Sequence, residues 1–196
     1  MPNALIKIDA TEIAALRPHL ALPAEAALAI QACGMVSEAL VALEAAGFLL
    51  EAARLVAFAL PKREAVWWAS MCAVHTAPPD LPDADRAARE TAEVWVRQQT
   101  DAVRRAAMAH AQDSEFATPE AWAAVAAFWS GDSMAPEGQP NVPPPSHLTG
   151  TAVAGAVALS AVRGNVRRRT ARLQRFLESG RDIAAGGAGR LAAEEI

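Results

Sequence analysis

Forty-nine of the 196 residues are alanine and none is tyrosine, and this pairing limits what the chain can fold into more than any motif it carries. Alanine has the highest intrinsic helix propensity, whereas strands draw on Val, Ile, Tyr, Phe and Thr to fill their pleated faces. The expected fold is therefore all-α, with roughly eight to ten helices of ordinary length. Apolar residues make up 53% of the sequence, and a chain of this size buries about 70% of the surface its unfolded form exposes, so a core needs neither disulfides nor a structural metal.

Proline and glycine mark the joints. Pro23 suits a first helical position and Gly34 a left-handed stop, and Val36, Leu40 and Leu43 follow at helical spacing before a second stop at Gly47. Phe48, Ala52, Leu55 and Phe58 line one face of the next helix, which ends at Leu60 because Pro61 disfavours helical backbone in the residue before it. Pro61 then opens the segment PKREAVWWASMCAVHT. Connections this short force antiparallel neighbours, so residues 1–185 are expected to form a single domain of helical hairpins, an orthogonal bundle or a helical-repeat-like stack without self-similar repeats. The run APPDLP at 77–82 is the natural point of subdivision.

Further helices are predicted from Asp83 to Gln98, from Thr100 or Asp101 to about Gln112, and from Thr118-Pro119-Glu120 onward, the last with Trp122, Val125 and Trp129 facing inward. Ser130 to Ser146 then holds five prolines and two glycines in seventeen residues, a loop that ends in polyproline II at Pro143, Pro144 and Pro145. A small-residue helix from Leu148 to Val162 follows, where Ala154, Gly155 and Ala158 admit a close neighbour. An arginine-rich helix from about Asn165 carries Val166, Leu173, Leu177 and Ile183 on its apolar side, and residues 186–196 read as a flexible tail.

The net charge of −4 offers no general attraction to nucleic acid or to an anionic membrane, but its distribution is uneven. Ala106 to Val162 carries five acids and no Lys or Arg; Arg163 to Arg181 carries seven arginines and one acid, and the two blocks are expected to neutralise each other. Two cysteines, Cys33 and Cys72, are too few for a disulfide framework and fit a reducing cytoplasm. The N-terminal residues lack the pattern of a signal peptide, and the 15 residues of Leu148 to Val162 fall short of the roughly 20 that span a bilayer, so a cytoplasmic protein without a membrane anchor is expected.

No signature of chemistry outweighs its structural explanation. Cys72 and His75 are half a metal site, with no second Cys/His pair at ligand spacing, so no metal or cofactor is expected. Ser130, Asp132, Ser133 and His147 offer hydroxyls, an acid and an imidazole around one loop, but not the G-x-S-x-G arrangement of a nucleophile elbow, and turn formation accounts for the same residues. Arg167, Arg168, Arg172 and Arg175 form a basic face with only Phe176 nearby for stacking, which argues for a solvated helix and against nucleic acid. Trp67 and Trp68 point about 100° apart on their helix, so either that helix is covered on two sides or one indole marks a contact surface.

Three stretches, LPKREAVWWA at 60–69, AAFWSGDSMAP at 126–136 and NVPPPSHLTGTAVAGAV at 141–157, resemble an uncharacterised family of all-helical bacterial proteins associated with type VI secretion gene clusters. The resemblance covers residues from about 35 to 187 and implies an accessory or adaptor role.

The reading that follows is a non-enzymatic cytoplasmic adaptor or scaffold that binds another protein. Its contact surface is expected at the proline loop, with Trp67 or Trp68 and Trp129 beneath it and Ser130, Ser133, Pro143, Pro144, Pro145 and His147 around it. An enzyme with a pocket beside the loop is the alternative, to be recognised by convergence of His147, Ser130, Ser133 and Asp132 within hydrogen-bond reach. A nucleic-acid binder using the arginine helix stands third.

Overall fold

The computed structural model describes residues 5–8 and 11–195. These form ten α-helices, with no strand beyond an isolated bridge between Glu12 and Met35. In chain order they are α1 (Ile13–Leu20), α2 (Ala24–Ala29), α3 (Val36–Ala45), α4 (Leu49–Ala59), α5 (Lys62–Thr76), α6 (Asp83–Gln98), α7 (Asp101–Asp113), α8 (Pro119–Trp129), α9 (Leu148–Val162) and α10 (Arg169–Ala184). A 3-10 turn at Val166–Arg168 precedes α10, which therefore starts later than the sequence implies; Val166 is 61% exposed and stands off the apolar side.

The middle of the molecule is α5, α8 and α9, flanked by α6 and α7 on the α8 side and by α4 and α10 on the α9 side. Alanine makes this centre. Ala65, Ala69 and Ala73 of α5, Ala123, Ala124 and Ala127 of α8, and Ala152, Ala156 and Ala161 of α9 are all buried, and side chains this small let three helices approach closely on several faces at once. One continuous core runs through both sides of the 77–82 break, which turns α5 into α6 without dividing the domain.

Local signals set several boundaries as expected. Thr100 and Thr118 cap α7 and α8 by accepting hydrogen bonds from the Val103 and Ala121 amides, and α4 stops before the Leu60-Pro61 step. Gly47 turns the chain with φ +80°. Gly34 does not adopt the left-handed backbone expected of it: α2 has already ended at Ala29, and Gly34 instead accepts from the Ile13 amide and donates to Glu38.

Trp68 is wholly buried and donates its indole N–H to the Phe176 carbonyl at 2.9 Å, whereas Trp67 beside it is only half-buried. The inward face of α8 differs from expectation. Val125 is buried, but Trp122 and Trp129 lie at the rim, edge to face with centroids 6.4 Å apart, while Ala123, Ala124 and Ala127 fill the interior.

Candidate functional site

The proline loop is the tip of a helical hairpin, and that hairpin is fastened at both ends. At the far end Glu120, wholly buried in the first turn of α8, accepts a forked pair of hydrogen bonds from Arg163, the residue that ends α9; the Nη1–Oε1 arm is 2.8 Å. At the loop end Thr149 of α9 donates to the Trp129 carbonyl at 3.1 Å, and Ser130 Oγ, which donates to the Ala126 carbonyl, lies 3.4 Å from the Thr149 hydroxyl.

Within the loop a buried hydroxyl closes a ring. Ser133 Oγ accepts from the Ala135 amide at 3.1 Å and from the Val142 amide at 3.0 Å, and the Met134 amide donates to the Val142 carbonyl at 2.7 Å. The chain between is held to α7 by Arg105, which donates to the Ala135 carbonyl at 2.9 Å. Arg104 beside it donates to the Phe128 carbonyl at 2.9 Å and lies over the Phe128 ring. Gly131 leaves room for this arrangement, because a Cβ there would displace the Arg104 side chain. Asp101 binds both arginines; hydrogen bonds from Arg105 and then Arg104 hold its carboxyl below the usual aspartate range.

From this ring the chain leaves as an extended ridge. Val142, Pro143 and Pro145 are exposed and Pro144 is half-buried. The ridge ends at His147, whose imidazole stacks on His19 of α1 with ring centroids 4.6 Å apart and planes 10° from parallel. Beside it His19, Phe58, Ala154, Gly155 and Ala158 line a cleft of about 300 Å³ between α4 and α9.

The expected site residues therefore divide. Trp129, Ser130, Ser133, Pro143, Pro144, Pro145 and His147 belong to one structure. Trp67 and Trp68 do not: α10 engages Trp68, and the segment after α10 engages Trp67, whose indole donates to the Ala188 carbonyl at 2.6 Å. Nor do His147, Ser130, Ser133 and Asp132 converge. Among the described residues no hydrogen bond joins any two of them, and both serine hydroxyls are committed to backbone groups.

The basic face is broken in a similar way. Arg172 is buried, donating to the Arg163 and Ala161 carbonyls and to Glu194; Arg168 pairs with Glu194 and the Glu195 carbonyl, while Arg167 and Arg175 are exposed. Among the described residues the acidic block does not neutralise the arginine block as a whole, for only Glu120 of that block pairs with it, at Arg163. The other counter-charge comes from Glu44 of α3, which pairs with Arg181, and from Glu194 beyond α10. In place of a tail without contacts, residues 186–195 run back over the body. Ser179 donates to the Gly189 carbonyl, and His75 Nδ1 donates to the Ala192 carbonyl at 2.5 Å, while the Glu194 amide donates to the His75 carbonyl. Cys72, one turn before His75, is buried and free, and burial pushes its thiol well above the usual range; Cys33 is also free.

An all-helical domain whose most distinctive surface is a braced proline ridge defines a structural class and no reaction. By sequence the chain belongs to a family of unknown function, DUF6931, which matches residues 39–184 and so contains α4 to α10 and the whole loop. No curated protein and no solved structure matches it.

Proposed function

We propose that the protein is a non-enzymatic adaptor that captures another protein along the ridge from Val142 to Pro145. What carries this reading is the bracing of that ridge. A buried serine and an α7 arginine hold the loop, and both clasps leave the proline edge in solvent. Proline fixes φ, so the edge presents itself with little ordering still to be done, and aromatic-lined grooves of partner proteins recognise such segments. The resemblance to a family associated with type VI secretion clusters supports a setting beside a secretion apparatus, on its cytoplasmic side. Among the described residues no helix is long and apolar enough to cross a membrane.

Replacing Pro143, Pro144 and Pro145 together by glycine tests the reading. Each freed residue adds about 1 kcal/mol of ordering entropy on binding, so capture of a cross-linked partner from the native cell should weaken by about two orders of magnitude. The melting temperature should barely move, since the three side chains contribute little to the core. Loss of folding with unchanged capture by the folded fraction would make the ridge a structural strap and end the proposal.

A further inference from the structure

A second surface lies apart from the loop. A cleft of about 360 Å³ opens where the N-terminal segment, α5, the end of α6 and the segment after α10 meet; Lys7, Arg63, Arg97 and Arg190 line it around Trp67, and Glu64 is the carboxylate among the lining residues. That carboxylate is already paired, for Lys7 Nζ donates to Glu64 Oε1 at 3.0 Å. Three guanidinium groups then face an open cleft.

Each is positioned by the fold. Arg63 donates Nε to the Val96 carbonyl at 2.9 Å, which fixes its plane and leaves the terminal N–H groups directed elsewhere. Arg190 lies over the Trp67 ring, 5.9 Å from its centroid, and stacking of this kind leaves the N–H edge of a guanidinium available. The Trp67 indole, bonded to the Ala188 carbonyl, holds the segment that carries Arg190 against α5. Among the described residues neither Arg97 nor Arg190 has a carboxylate within salt-bridge distance; Glu93, one turn before Arg97 and near enough to feel its charge, is bonded to Arg89. Gathering like charges without a counter-ion is repulsive, and a bound dianion is what relieves it.

We infer that this cleft binds a phosphate-bearing small molecule, its phosphate held by Arg63, Arg97 and Arg190. The planar donor forks of arginine match phosphate oxygens two at a time, and three of them exceed what a single carboxylate neutralises. The volume is that of a small-ligand pocket. A nucleic-acid backbone fits poorly, because the chain is acidic overall.

Calorimetric titration of the whole chain with inorganic phosphate and with glycerol phosphate, at low ionic strength, tests this, with the Trp67 indole N–H resonance as the local readout. Saturable binding that shifts this resonance is expected, and Arg97→Ala and Arg190→Ala should each weaken it about tenfold, as loss of one charge-assisted contact does. Both side chains are exposed, so these variants should fold. Acetate binding as tightly as phosphate would overturn the phosphate assignment. Vesicles carrying a phosphomonoester lipid that compete better than glycerol phosphate would overturn the small-molecule source. Asp9, two residues beyond Lys7, lies outside the described residues; phosphate binding that occurs only in an Asp9→Asn variant would show that the chain neutralises its own cleft, and would also overturn the proposal.

Discussion

The forked pair of Glu120 and Arg163 should show a marked asymmetry when it is dismantled. The Glu120 side chain has no solvent exposure, whereas that of Arg163 is 17% exposed. Arg163→Met therefore strands a carboxylate inside the α8–α9 hairpin with no route to water, a situation that costs about 3–5 kcal/mol. Glu120→Leu strands a guanidinium that reaches solvent at the cleft beside Asn165 and Arg168, and should cost about 1–2 kcal/mol. The double variant, with two apolar side chains of similar bulk, should be more stable than Arg163→Met alone, because no buried charge is left without a partner. For a chain of this length the Arg163→Met loss corresponds to a fall in Tm of roughly 10 °C. Urea unfolding of the four proteins, followed by circular dichroism, measures the cycle. Costs that simply add, within about 0.5 kcal/mol, would refute the argument that the pair is buried as a unit.

Two further predictions concern packing and pH. A Cβ at Gly150 would lie 2.7 Å from Phe58 Cδ1 and 3.1 Å from its Cα, while one at Gly155 would meet Trp122 at an ordinary 3.7 Å; Gly150→Ala should lower Tm and Gly155→Ala raise it, and thermal denaturation moving both the same way would contradict the helix spacing. The hydrogen bond from Arg172 holds the Glu194 carboxyl below the usual glutamate range, so its hold on residues 186–195 is complete above about pH 4.3 and is lost as pH falls through the lowered folded value. Protection of the Ala192–Glu195 amides against exchange, taken relative to the intrinsic rate at each pH, should therefore fall in acid before that of the α5 core. Glu194→Gln should remove that pH dependence; identical behaviour of the two proteins would sink the assignment.

The helix ends were legible where one residue decides them, as at Thr100, Thr118 and Pro61, because a cap or a proline acts on its immediate neighbours. Faces were less so. α5, α8 and α9 are buried on most sides by alanine, so no apolar stripe distinguishes inside from outside, and the i, i+3, i+7 spacing of Trp122, Val125 and Trp129 points inward although only Val125 of the three is buried. The loop was visible in composition, but its bracing by Arg105 and Ser133 depends on pairings that composition does not encode. The segment after α10 was missed for the same reason: Trp67 and Ala188 are 121 residues apart in the chain, and three nearby glycines read locally as an unravelled end.

A hairpin clasped at both ends fixes the separation of its two feet independently of whatever bridges them. Joining two fixed points is an undemanding task for a chain, since doubling the length of such a bridge costs only about 0.6 kcal/mol. The base of α8 and α9 can thus stay constant while the crown above it is lengthened or rewritten beside the exposed turn at Gly138, so long as that glycine is kept, since its φ of +79° strains any other residue. The sequence of the crown and the foldability of the base are then separable traits of one polypeptide, free to diverge on different timetables.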